Sequence, residues 1–388
     1  MSLATLALIG AVALCGPLLA WSNSWRIPVI IGELIAGVVI GTTGTHWIDP
    51  QDHTLTFLAN IGFAMVMFVA GSHVPVRDRA LVRGIRPALA HVAAVVAVAI
   101  VLAIVVAHVF GTGHAALYAV LFASSSAAII MPMVQSLKLS GPVLTRLIPQ
   151  VAVADAACIV ALPLVLEPAN AGRAALGALA VIACGAAVFG LLRWCDRRGW
   201  LKTVHDKSKE RGFALELRLS LLILLLLAAL AQVTQVSIML AGFCLGLAVA
   251  GVREPRRLTR QLFGLTEGLF GPIFFVWLGA SLNLRDLVAH PLMIVLGVVM
   301  ALAAFVAHAV TTLFKVPLSA ALVAAAQIGV PVAAVAAGTQ MGVLAPGEGA
   351  ALLLGALLTI AVSAIAGRRL AGSARMDRGE AAGRDGPG

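Results

Sequence analysis

Charge is scarce in this chain. Only 11% of its 388 residues are Asp, Glu, Lys or Arg, against about 25% in a soluble domain. With 61% hydrophobic residues and a mean hydropathy of +1.03, that shortage excludes an ordinary soluble fold. CxxC pairs are missing. Cys15, Cys158, Cys184, Cys195 and Cys244 are scattered in or beside apolar stretches and read as small hydrophobes, without a disulfide or metal framework. There is no HExxH, no Walker loop, no GxGxxG after a strand and no Ser–His–Asp pattern. No enzyme and no cofactor are therefore expected, and the energy for any work must come from an ion gradient. The first apolar stretch, Leu3 to Ala20, has no basic n-region before it and reads as a retained helix, not a cleaved signal peptide.

What is present are apolar blocks of about 17–25 residues, the length of a membrane-spanning helix. Backbone polar groups in lipid must be paired within the segment, which favours helices. The expected fold class is an all-α polytopic membrane protein with about thirteen transmembrane helices, at 3–20, 27–44, 54–72, 87–109, 114–136, 147–166, 174–193, 213–231, 236–252, 262–282, 291–314, 317–341 and 349–367. A single transmembrane domain, 1–367, would be followed by a short cytoplasmic tail, 368–388. The net charge of +10 carries a topology signal. Arg26, Arg77–Arg86, Lys138, Arg146, Arg193–Arg211, Arg253–Arg260, Lys315 and the Arg368–Arg384 tail fall on one side, and only Arg173 and Arg285 on the other. Cationic loops stay cytoplasmic, so the N-terminus is expected outside and the C-terminus in the cytoplasm, in the cell (inner) membrane. Nucleic acid is not an expected partner.

Two segments look broken. "AVLFASSSAAIIMPMVQ" holds Pro132, which frees the carbonyl of Ala128, one turn after the hydroxyls of Ser124, Ser125 and Ser126. "LVAAAQIGVPVAAVAAG" holds Gly329 and Pro331, the latter freeing the carbonyl of Gln327. Each alone could be a simple kink. Together they are seven segments apart and so cross the membrane in opposite directions. Segments 87–166 and 291–367 then form an inverted repeat with two broken middle helices, the arrangement that marks a transporter's substrate site.

Asp155 is the one formal charge in "VAVADAACIVALPLVL". It lies nine residues from Arg146, about 13 Å along a helix, where an ionised carboxylate costs about 2.5–3.5 kcal/mol to insert. Two readings follow: a packing acid bonded to a neighbouring hydroxyl, or a site that alternately holds a proton and a monovalent cation. Competition for one carboxylate is sufficient for obligatory exchange. Gln327 is either an ion ligand or a helix bridge. His308 is either a proton partner at similar depth or a core histidine bonded to a carbonyl. Glu33 is expected at a cavity mouth or helix contact, and Gly32, Gly37 and Gly41 beside it allow close helix approach. Glu267 is expected near a helix start. His91, His108 and His114 have no ligand spacing and no assigned role.

Three stretches carry a family resemblance. "WRIPVIIGELIAGVVIG", "LANIGFAMVMFVAGSHVPVRD" and, most specifically, "LFGPIFFVWLGASLNL" are similar to patterns of the monovalent cation:proton antiporters, in the branch of bacterial sodium/proton and potassium/proton exchangers of the cation:proton antiporter-2 type. The resemblance covers nearly the whole chain. It implies thirteen helices, an ion-transport core at 87–166 and 291–367, panel helices at 1–72 and 213–282 that form a homodimer, a linker helix at 174–193, and elevator-like alternating access. It places Asp155 as the ion-binding aspartate, with Ser124, Ser125, Ser126, Gln327 and His308 in support. Three departures stand out. Ala154 replaces a polar residue before the aspartate. His308 takes approximately the place of a lysine found in electrogenic members. "QIGVPVA" replaces a basic–Gly–acidic cluster. One carboxylate without the lysine favours electroneutral exchange of Na+ or K+ for a proton. The short tail implies no nucleotide-sensing domain. Two other readings stay open, a sodium-coupled organic-anion symporter of related fold and a non-transporting membrane scaffold or sensor. The lack of an Arg or Lys deep in the core segments weighs against the symporter.

Overall fold

A computed structural model describes residues 2–20, 29–74, 76–77, 79–136, 142–166, 171–211, 213–234, 236–252 and 256–384. Arg26, Lys138 and Arg253, used above for orientation, lie outside the described residues. The chain forms α1 (Leu3–Ala13), α2 (Cys15–Ala20), α3 (Val29–Ile40), α4 (His53–Ser72), α5 (Arg79–Phe110), α6 (Ala115–Ala123), α7 (Ala127–Ser136), α8 (Pro142–Leu166), α9 (Ala171–Arg197) and α10 (Trp200–Arg211). It continues through α11 (Leu215–Val233), α12 (Ile238–Ala250), α13 (Arg256–Leu265), α14 (Gly271–Ser281), α15 (Leu284–Ala289), α16 (Pro291–Ala309), α17 (Leu318–Ala324), α18 (Gly329–Met341) and α19 (Glu348–Arg384). Among the described residues there is no strand, and nine helical stretches are long and apolar enough to cross a membrane. Three shorter apolar helices lie at Leu3–Leu19, Val29–Ile40 and Ile238–Ala250, and the expected span 114–136 is divided between α6 and α7. α19 continues without a stop through residues 368–384, a stretch with five Arg and four Ala and no proline.

The helices fall into two compact units, Met1–Val74 with Glu167–Ala289, and Pro75–Leu166 with His290–Gly388. The first unit is held by small residues that bring backbones together. A Cβ on Gly32 would lie 2.6 Å from Gly16 Cα, and one on Gly246 would lie 2.9 Å from Gly71 Cα. Phe63 stacks on Phe274 with ring centroids 4.8 Å apart. The Trp277 indole donates to the Pro50 carbonyl at 3.0 Å, and the Thr43 hydroxyl donates to the Leu282 carbonyl at 2.7 Å. Glu267 does not start a helix here. It sits in a π-helical turn, Thr266–Phe270, joining α13 to α14. The Gly271 N–H closes that turn on the Thr266 carbonyl, where a Cβ would come within 2.7 Å of the same oxygen.

The second unit has its core where the broken segments meet. Ala127, Ile130 and Val134 of α7, Leu147 and Val151 of α8, Val323 and Ala324 of α17, Ala326 just after α17, and Ala366 of α19 form one buried cluster. Small side chains dominate it, so backbone and polar groups of several elements approach closely there.

Candidate functional site

Both breaks lie in the second unit, and both precede the prolines that signalled them. α6 stops at Ala123, Ser124 is extended, and Ser124–Ser126 lie outside any helix before α7 begins at Ala127. α17 stops at Ala324, and residues 325–328 lead to α18 at Gly329. Pro331 falls in the first turn of α18, where a residue without an N–H loses nothing, so it helps start the half-helix. Pro132 lies midway along α7. The carbonyls at the ends of the preceding half-helices, α6 and α17, are thus left open by the breaks, and Pro132, midway along α7, offers no N–H to the carbonyl of Ala128.

Those ends are satisfied across the two segments. The Ser125 hydroxyl donates to the Ala324 carbonyl at 2.7 Å, which answers a terminal acceptor of α17. The single Ser124 hydroxyl proton has two acceptors in reach, Gln327 Oε1 and the Leu121 carbonyl. Ser126 is buried, and its carbonyl accepts from Ile129 and Ile130 in the first turn of α7. Through its Ser124 contact Gln327 joins the two breaks.

Asp155 comes from α8 and is 3% exposed. Its Oδ2 accepts from the Ala127 N–H at 3.1 Å. That N–H is the first of α7, at the end of a half-helix carrying partial positive charge. The expected alternative of an acid bonded to a neighbouring hydroxyl is thus replaced by an acid on a helix N-terminus. Beside it, Ala154 and Cys158 are buried and bring only small apolar or weakly polar groups. His308 of α16 is fully buried, and its Nε2 lies 3.1 Å from the Ser124 carbonyl. With Nε2 as donor, Nδ1 remains an acceptor, and it has no hydrogen-bond partner among the described residues.

The structure therefore gathers Asp155, Ser124, Ser125, Ser126, Gln327, His308, Gly329 and Pro331 around the two breaks. Glu33 belongs to the other unit. It is 4% exposed in α3, and a Cβ on Gly16 would lie 2.9 Å from its Cγ. Sequence reasoning missed two groups on α19. Thr359 is buried and accepts from the Gln327 N–H at 3.3 Å. Ser363 is buried and donates to the Leu322 carbonyl at 2.6 Å. The signal available was position, since α19 follows the second broken segment as α8 follows the first.

The comparison with known families decides the class. Residues 10–371 match the family described as sodium/hydrogen exchanger, transmembrane. The chain belongs to the sodium/hydrogen exchanger family. Family members are transporters, not enzymes. The chain is 22% identical to the putative Na+/H+ antiporter YjbQ of Bacillus subtilis, over 95% of this chain and 63% of that protein. It thus spans less than two thirds of that relative's length. It is 26% identical to the probable Na+/H+ antiporter 3 of Methanocaldococcus jannaschii, over 68% of each. Its fold matches the solved structure of the sodium proton antiporter MjNhaP1 from Methanocaldococcus jannaschii at pH 8, with a TM-score of 0.62 and 18% identity over 94% of this chain and 96% of that one. The chain is thus an all-α, multi-pass membrane protein of that fold.

Proposed function

We propose that this exchanger is a secondary antiporter that trades a monovalent cation, Na+ or K+, for protons by alternating access, with Asp155 as the shared seat of proton and cation. The observation that carries the reading is the buried Asp155 carboxylate held against the first N–H of α7, beside two interrupted helices cross-linked by Ser124, Ser125 and Gln327. Helix interruptions in paired segments expose backbone groups at mid-membrane, where they can replace the water around an ion. The neutral, protonated acid and the cation-loaded carboxylate are the two forms that cross. An empty, ionised carboxylate is held back by its desolvation cost. That difference couples the two fluxes without any nucleotide.

The relatives named as Na+/H+ antiporters support the same chemistry. In this reading the unit built from Pro75–Leu166 and His290–Gly388 is the transporting core. Helices of the other unit form the panel on which two copies dimerise, with 174–193 as the linker. The chain makes thirteen crossings of the cell membrane, with the N-terminus outside and the C-terminus in the cytoplasm. Ala154 and the neutral pairing of His308 with a carbonyl leave one ionisable acid at the site, so exchange is electroneutral, one cation per proton.

The test is proton flux in inside-out vesicles on addition of Na+, K+ or Li+, comparing wild type with Asp155→Asn. Cation-specific dequenching of a pH dye that disappears in the variant is the expected result. A folded wild type that moves no protons with any of these cations overturns the proposal.

A further inference from the structure

A second buried acid lies at the first residue of α19. Glu348 has a fully buried side chain and four short contacts. The Tyr118 hydroxyl donates to Oε1 at 2.6 Å. His114 Nδ1 lies 2.8 Å from Oε1 and 3.0 Å from Oε2. The Ala345 N–H donates to Oε2 at 2.8 Å. Tyr118 is itself fully buried, and its N–H donates to the carbonyl of His114 at 3.0 Å, so both donors stand on the first turn of α6. A buried carboxylate is tolerated only where fixed donors surround it, and charge-assisted hydrogen bonds of this kind are about twice as strong as neutral ones. The cluster therefore pins the start of α6 to the start of α19.

Each pinned helix leads to one of the breaks. Tyr118 is six residues from Ser124, about 9 Å along α6. Ser124 receives His308 on its carbonyl and meets Gln327 through its hydroxyl, and Ala127 just beyond it donates to Asp155. Glu348 is eleven residues from Thr359, about 16 Å along α19, and Thr359 accepts from the Gln327 N–H. A shift of α6 by one residue is about 1.5 Å, enough to break a 3.1 Å hydrogen bond at Asp155.

We propose that Glu348, held by Tyr118 and His114, is a positioning residue for the exchange site: it sets the axial register of α6 against α19 and thereby the placement of Ser124 and Ala127 beside Asp155. The inference rests on the exchange reading above. Because Glu348 acts through Ser124 and Ala127, it tunes how well the cation is held, and its effect appears in apparent affinity.

The test uses purified full-length protein in proteoliposomes, with rates per folded molecule as a function of Na+ and K+ for wild type, Tyr118→Phe, Glu348→Gln and the double variant. Tyr118→Phe removes one donor and keeps the ring packing on Phe122. Glu348→Gln turns one acceptor oxygen into a donor facing another donor. Each is expected to raise the apparent KM for the cation by about 3- to 10-fold, the range of one ordinary net hydrogen bond, with a smaller change in maximal rate. The double variant should fall short of the product of the singles, since both act on one contact. If Glu348→Gln does not fold, Tyr118→Phe alone carries the test. Variants that lose thermal stability but keep the wild-type KM would make the cluster a mere fold support and overturn the inference while the exchange reading stands. A wild type without cation-dependent proton flux removes both together.

Discussion

Gln327 and Thr359 repeat, at the second break, the relationship that Ala127 and Asp155 have at the first. In each, a backbone N–H beside the interruption donates to a side-chain oxygen on the helix that follows, at 3.3 Å to Thr359 and 3.1 Å to Asp155. One acceptor is a hydroxyl and the other a carboxylate. The two broken segments are thus anchored alike and charged differently, so that a single acid sits between two similar supports. Thr359 keeps its own donor engaged with the Ala356 carbonyl at 2.7 Å, which leaves its lone pairs for Gln327.

From this follows an expectation for Thr359→Val. The isosteric change removes the acceptor and leaves the buried Gln327 N–H unanswered, a loss of about 1–3 kcal/mol. Thermal unfolding in detergent should show a lower midpoint, and Thr359→Ser should restore most of it. Equal midpoints for the Val variant and wild type would mean that Gln327 is held by its Ser124 contact alone.

How much of this was legible from the chain varies with the physics of each signal. Pro132 marked the first interrupted segment and Gly329 with Pro331 the second, and Asp155 stood out because a charge in an apolar stretch has few reasons to be there. The positions of the breaks were less legible. Prolines prefer the beginning of a half-helix, so Pro331 marks where α18 starts, while the gap itself is made by Ala325–Ile328, which carry no breaker. Thr359 and Glu348 gave weaker signals. A threonine in an apolar helix ordinarily bonds its own backbone, and an acid at a helix start ordinarily faces water. Only the pairing of Glu348 with Tyr118, 230 residues away, makes it a buried group, and such pairing has no local pattern.

His308 makes a separate prediction. Its Nε2 meets the Ser124 carbonyl in a fully buried setting, so His308→Leu should leave that carbonyl unsatisfied and weaken both stability and exchange. His308→Gln places an amide donor near the same position and should recover part of each. Under the electroneutral reading neither variant, nor wild type, generates a potential-dependent current in proteoliposomes. A robust current in wild type would reject the one-for-one stoichiometry.

The glycines of the first unit offer a packing test. Gly32 has no room for a methyl group beside Gly16 Cα, whereas a Cβ on Gly10 would meet nothing within 4 Å. Gly32→Ala should lower the unfolding midpoint through overpacking, by about 1–3 kcal/mol, and Gly10→Ala should be neutral or slightly stabilising because Ala is the better helix former. A difference of the opposite sign would show that α2 and α3 can separate without loss.

Cation binding should be visible without transport. A ligand that binds only the folded state stabilises it, by about 2.7 kcal/mol at a hundred times its Kd. Raising Na+ or K+ at constant ionic strength should therefore lift the wild-type unfolding midpoint, with a choline salt as the control for screening. Asp155→Asn keeps the shape of the side chain and an oxygen that can accept from the Ala127 N–H, but it removes the charge that holds the cation. Its midpoint should match or exceed that of cation-free wild type, since a buried charge has been taken away, and it should no longer respond to the cation. At lower pH the wild-type response should shrink, because the proton competes for the same oxygens. A cation response that persists undiminished in Asp155→Asn would place the binding site elsewhere in the chain.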